Sequence, residues 1–105
     1  MQVGIGALAL FVAAAFVSPA IAGETIHVTI QNLKFAPVNI SAHVGDTIEW
    51  TNKDIVEHSA TALNKEFDVV LPANGVGRVT LARPGKIDYF CRFHPFMKGE
   101  IVVSP

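Results

Sequence analysis

From residue 24 onward no stretch keeps apolar side chains at helical spacing for longer than one turn, and this constrains the fold more than any other feature. Period-two alternation takes the place of helical spacing. Over residues 24–31, Ile26, Val28 and Ile30 fall on one face, and Thr25, His27 and Thr29 on the other. Residues 47–51 place Ile48 and Trp50 together, and residues 86–91 do the same with Ile87, Tyr89 and Cys91. Residues 38–43, 58–62, 67–71, 76–81 and 99–103 also read as strands. Gly45-Asp46, Pro72-Ala73-Asn74-Gly75 and Arg83-Pro84-Gly85 supply turns between them. Pro37 makes residues 33–44 a bend followed by a strand. Seven or so short strands at this spacing predict an all-β sandwich or barrel. Phe35, Trp50, Phe67 and Tyr89 are its expected large core residues.

Residues 1–22 carry no charged side chain. Ala20 and Ala22 form the small-x-small pattern that a signal peptidase cuts after. Residues 1–22 are therefore expected to be a signal peptide and residues 23–105 a single exported domain in the periplasm. An uncleaved membrane anchor is the competing reading, since about 20 apolar residues span a bilayer. A formal net charge of −1 argues against nucleic-acid binding. The single cysteine excludes a disulfide within the chain. An exported domain this small benefits from a staple, and a metal bond to the thiol would both staple the fold and protect the sulfur.

The stretch Cys91-Arg92-Phe93-His94-Pro95-Phe96-Met97 supplies such a bond. Thiolate, imidazole and thioether are ligands that soft copper prefers, and here they recur at every third residue. A fourth ligand must come from elsewhere. His58 opens a strand after a loop containing Asn52, Asp54 and Glu57, which suits the end of a sandwich. His27, mid-strand among threonines, and His43, beside a turn, are the less favoured candidates. Zinc sites seldom use thioether, and iron–sulfur clusters need more cysteines. Two histidines and a thiolate with a weak axial methionine describe a copper electron-transfer site. One copper ion per chain held by His58, Cys91, His94 and Met97 is the expected centre. No general base or nucleophile stands beside these residues in the sequence, so the chain is expected not to be an enzyme.

These residues carry a family resemblance. Val44-Gly45-Asp46-Thr47-Ile48-Glu49-Trp50-Thr51-Asn52, then Glu57-His58-Ser59, then Pro84-Gly85 through Cys91-Arg92-Phe93-His94-Pro95-Phe96-Met97-Lys98-Gly99 resemble the cupredoxins, with a ligand loop most similar to the amicyanin and pseudoazurin group. The resemblance implies an all-β Greek-key β-sandwich of about seven to eight strands, with strong copper ligands at His58, Cys91 and His94 and a weak axial ligand at Met97. It implies single-electron shuttling by a monomer between transient redox partners, such as a dehydrogenase donor and a cytochrome c acceptor. Copper trafficking or storage through the same ligands is the alternative. Glu57, Ser59 and the Arg92-Phe93 pair depart from the family pattern. Ser59 is expected to bond across the two ligand loops, and Arg92 and Lys98 to flank an apolar patch of Phe93, Pro95 and Phe96 and steer an acidic partner.

Overall fold

A computed structural model describes residues 23–105, so the signal peptide expected at residues 1–22 lies outside the described residues. Nine strands form among the described residues: β1 (Thr25–Gln31), β2 (Lys34–Ala36), β3 (Asn39–His43), β4 (Thr47–Asn52), β5 (His58–Ala62), β6 (Asp68–Leu71), β7 (Val76–Thr80), β8 (Gly85–Phe90) and β9 (Lys98–Ser104). None of the described residues forms a helix long and apolar enough to cross a membrane. One sheet has the order β2-β1-β4-β7 and the other β3-β9-β8-β5-β6. The chain moves between sheets after β2, β3, β4, β6 and β7. It therefore places β1 parallel to β4 and β3 parallel to β9, while the other pairs are antiparallel. The result is the expected Greek-key sandwich.

The strand that sequence alternation does not reveal is β2. It is three residues long and joined to β1 by Asn32 and Leu33 alone. Both turn residues have positive φ, 53° and 59°, as a type I′ hairpin turn requires. Asn accepts that conformation readily, but Leu does not, so the sequence lacks the usual Asn-Gly signature. The side chain of Asp54 holds the turn by accepting from the N–H groups of Asn32 (2.8 Å) and Leu33 (3.0 Å).

Alternation places Ile30, Ile48, Trp50, Tyr89, Ile101 and their neighbours in one core between the sheets. All four expected aromatic residues are there. Ring centroids lie 4.8 Å apart for Phe35 and Tyr89, 5.6 Å for Trp50 and Tyr89, and 5.5 Å for Trp50 and Phe67. Such tilted and edge-on pairs let positive ring edges meet negative faces. Burial pushes the Tyr89 phenol up to about 12, and it stays a neutral acceptor for the Trp50 indole N–H at 3.4 Å. Tyr89 faces Gly99 directly across the β8–β9 ladder. A Cβ built on Gly99 would sit 2.3 Å from the Tyr89 ring. The ring therefore needs glycine beneath it, two residues after Met97. Gly99→Ala should lower the stability of the apoprotein by about 1–3 kcal/mol, read as a reduced urea midpoint.

A second anchor ties Glu24, just before β1, to the turn between β3 and β4. The Asp46 carboxylate accepts from the N–H groups of Glu24 (2.9 Å) and His43 (2.8 Å). The His43 and Glu24 bonds hold its pKa below the usual carboxylate range. A depressed folded-state pKa contributes stability above the unfolded value, and that stability is lost as pH falls through the folded value. The acid limb of stability, below about pH 4, should therefore be shallower in Asp46→Asn. Thermal melts of both proteins across that range check the slope.

Candidate metal centre

Cys91 follows the last residue of β8 and keeps the inward alternation of Ile87 and Tyr89, so its sulfur is fully buried. The next six residues form a compact loop before β9. The His94 N–H donates to the Cys91 carbonyl (3.3 Å), and the Met97 N–H donates to the His94 carbonyl (2.8 Å). The Cys91 N–H closes the ring on the Met97 carbonyl at 3.1 Å. Spacing by three thus matches a pair of successive turns in which each sulfur- or imidazole-bearing residue is hydrogen-bonded to the one before. Met97 is buried in this loop.

His58, the first residue of β5, is fully buried and meets the loop at the same end of the sandwich. Its Nδ1 lies 3.2 Å from His94 Nδ1 and 3.7 Å from Cys91 Sγ, and His94 Nδ1 lies 3.6 Å from Cys91 Sγ. An ion with bonds of about 2.0 Å to nitrogen and about 2.3 Å to sulfur needs its trigonal donors roughly 3.5–3.7 Å apart. The two sulfur–nitrogen sides, 3.7 and 3.6 Å, meet that requirement, and the nitrogen–nitrogen side of 3.2 Å falls slightly short of it. His58, Cys91 and His94 form the one convergent cluster of metal-binding side chains among the described residues. His27 and His43 lie elsewhere. His27 pairs with Glu49 on the outer face of the first sheet, and His43 stands beside Asp46.

The surroundings fix which atoms face the centre. His58 Nε2 is 2.8 Å from Asp54 Oδ2. With Nε2–H donating there, Nδ1 is left as the free lone pair. The Leu33 N–H, then His58, then the Asn32 N–H hold the Asp54 carboxyl below its ordinary range. Asn52, fully buried at the end of β4, orders the intervening loop. Its Nδ2 donates to the carbonyls of Val56, Leu71 and Pro72, and its Oδ1 accepts from the Asp54 N–H. In the sequence Asp54 and Asn52 read simply as loop residues. The only signal for Asp54 was its position four residues before His58.

Ser59 answers one departure from the family pattern. Its N–H points at Cys91 Sγ (3.4 Å), and its Oγ accepts from the Arg92 N–H (2.8 Å). Ser59 therefore links the two loops, as expected. Arg92 differs from expectation. Its Nε donates to Asp68 Oδ1 (3.0 Å), and its guanidinium lies over the Phe93 ring at 5.3 Å. It is a paired, partly covered cation rather than a free steering charge. Phe96 and Phe93 are 67% and 44% exposed, so they form surface rather than loop packing.

A buried cysteine sulfur and two imidazoles converge at the loop end of a Greek-key sandwich, with a methionine in the same loop: this is the design of a type 1 copper protein. The Cupredoxin-like domain family matches residues 4–103, and the chain belongs to that family, whose cofactor is copper. Amicyanin-alpha of Methylorubrum extorquens is 34% identical over 94 residues, which cover 84% of this chain and 78% of the relative. The crystal structure of amicyanin from Paracoccus versutus superposes with a TM-score of 0.67 at 26% identity, over 76% of this chain and 81% of that one. The Cu-containing nitrite reductase of Thermus scotoductus gives a TM-score of 0.71 at 27% identity, over 77% of this chain but 22% of that much longer one.

The donor set fits copper, and Asp54 orients one member of it. Removing the carboxylate in Asp54→Ala frees the His58 ring to rotate and to change tautomer. Copper affinity should fall about 10–100-fold, measured by competition against a chelator of known affinity.

Proposed function

We propose that this protein is a periplasmic single-electron carrier in which His58, Cys91 and His94 are the strong copper ligands and Met97 the weak axial one. The observation that carries the reading is the His58–Cys91–His94 triangle, with sides of 3.2–3.7 Å and each corner held by the fold. Bound copper supplies a one-electron couple between its cuprous and cupric states. The chain's task is to keep one geometry for both states, so that little rearranges when the electron moves. His58 is fixed by Asp54, Cys91 by the Ser59 N–H and the Met97 carbonyl, and His94 by turns on either side. The Ser59 N–H withdraws charge from the thiolate, and burial in an apolar shell disfavours the more charged cupric state. Both effects raise the reduction potential.

His94 is the half-buried member of the triangle and offers the electron its exit. Phe96 stands edge-on to it with ring centroids 6.2 Å apart. Beside Phe96 runs a groove of about 400 Å³ floored by Leu33, Phe35, Val38 and Met97, with Lys34 and Lys98 on its rim. Neither lysine has an ion-pair partner among the described residues. A small apolar patch edged by unpaired cations suits brief encounters with acidic redox proteins. A dehydrogenase donor and a cytochrome c acceptor are the proposed partners of a monomer. Export follows from reading residues 1–22 as a cleaved signal peptide.

Adding copper(II) to residues 23–105 should produce an intense visible charge-transfer band that ascorbate bleaches. Cys91→Ala should abolish it, and a band that survives this change would overturn the assignment. Met97→Leu should keep the colour and shift the potential. Rapid loss of copper to a chelator from a colourless oxidised protein would favour copper trafficking instead.

A further inference from the structure

Four residues form a closed hydrogen-bonded ring against the back of Cys91, and the direction of every proton in it is determined. The Arg92 N–H donates to Ser59 Oγ at 2.8 Å. Ser59 Oγ lies 2.8 Å from Thr61 Oγ1, and Thr61 Oγ1 donates to Asp68 Oδ1 at 2.7 Å. Since Thr61 has one proton and gives it to the carboxylate, Ser59 must donate to Thr61. Arg92 Nε closes the ring on the same Asp68 oxygen at 3.0 Å. All donors therefore run towards one carboxylate, and hydrogen bonds in such a chain polarise one another. The strands hold the members in place: Ser59 and Thr61 share one face of β5, and Asp68 of β6 lies directly opposite Thr61.

We propose that Asp68, acting through Thr61 and Ser59, is a positioning residue for the copper thiolate. Arg92 follows Cys91 in the chain and Ser59 follows His58, but the hydrogen bond from the ring residues to a donor atom of the metal triangle is the Ser59 N–H to Cys91 Sγ at 3.4 Å. The side chain of Ser59 fixes the angle of that N–H because it is held on both sides, by Arg92 and by Thr61. Without Asp68, Thr61 loses its acceptor and can turn its proton back towards Ser59. The Ser59 hydroxyl then loses its one acceptor in the ring, and the N–H to the sulfur is no longer fixed. The inference rests on the copper reading above and deepens it. It also accounts for Ser59 and Arg92 standing where the family pattern differs: they belong to one device.

The ring is half open to solvent, with the Arg92 and Asp68 side chains 41% and 51% exposed. An ion pair so exposed contributes little to global stability, so its loss should register at the copper and not in unfolding. The sign separates two explanations. Deleting a nearby negative charge should, by Coulomb's law alone, destabilise the more positive cupric state and raise the potential. Loosening the N–H bond to sulfur leaves the thiolate richer in charge, favours cupric copper and lowers the potential.

The test compares the copper-loaded parent with Asp68→Ala, Thr61→Val and the double variant, by redox titration and visible spectrum. Each single variant should displace the redox equilibrium about three- to tenfold towards the oxidised form and alter the charge-transfer band. The double variant should add little beyond either single change, because the residues act in series. Asp68→Asn, which retains an acceptor oxygen, should restore most of the parent value. Apoprotein melting temperatures should stay close to the parent. Potentials and spectra that match a coloured parent would overturn this inference alone, as would a rise in potential with Asp68→Ala and no change with Thr61→Val. A parent that takes up no copper would overturn the proposed function as well, and that is visible before any variant is made.

Discussion

The structure turns on one rung of a β-ladder that is diverted. Strands β5 and β8 pair at Ala62 with Tyr89 and at Thr61 with Phe90. Continuing that register would set Ser59 opposite Arg92. The sheet does not continue. The Arg92 N–H goes to the Ser59 side chain, and the Ser59 N–H goes to the Cys91 sulfur. A buried N–H left without an acceptor costs much of what a hydrogen bond contributes. The diverted donors are therefore paid for by one hydroxyl and one sulfur. Opening the ladder here gives the loop room to curl, and it brings His58 and His94 onto the same sulfur.

Everything below that rung serves to keep it in place. Tyr89 lies two residues before Cys91 on the same face, packed between Trp50, Phe35 and Phe67 and pressed over Gly99. This aromatic layer fixes the height of β8 against β9, hence the separation of the two ends of the ligand loop. On the other side, the β1–β2 hairpin contributes through Asp54. Its two left-handed residues would be costly alone, and both of their N–H groups are satisfied by the same carboxylate that orients His58. Strain in a distant turn and the tautomer of a metal-facing imidazole thus share one anchor.

How much of this was legible in the chain depends on the range of the interaction. Period-two alternation marks which face of a strand is buried, so Val28, Ile48, Trp50, Ile87 and Tyr89 could be assigned to the core without coordinates. The nearness of Cys91, His94 and Met97 was legible because a loop keeps its residues near each other whatever the fold does. His58 needed an argument about the end of a sandwich, and its neighbours needed more. Asp54 reaches His58 by one side-chain bond, and Asp68 acts across a strand pair. No local pattern distinguishes either from an ordinary surface carboxylate. β2 was missed because three residues are too few to show a period and Leu33 is a poor marker of a turn. Arg92 was misjudged because a cation beside a binding loop looks the same in sequence whether it faces a partner or its own domain.

That last distinction bears on how a small redox protein separates tuning from recognition. The two tasks share one end of the sandwich, around the loop of residues 91–97. Charges that set the copper environment must be fixed relative to it, and charges that guide a partner must be free to pair with something else. Arg92 and Asp54 belong to the first kind, since both are committed to hydrogen bonds within the domain. Lys34 and Lys98, which line the groove beside Phe96 and have no ion-pair partner among the described residues, are the proposed members of the second. Because an exposed, unpaired surface cation is screened by salt while a bonded carboxylate beside a buried histidine is screened much less, the two sets respond to different conditions. On the proposed function, the surface could change its partner by substituting lysines without disturbing the potential, and the centre could change its potential through the ring behind Cys91 without redrawing the surface.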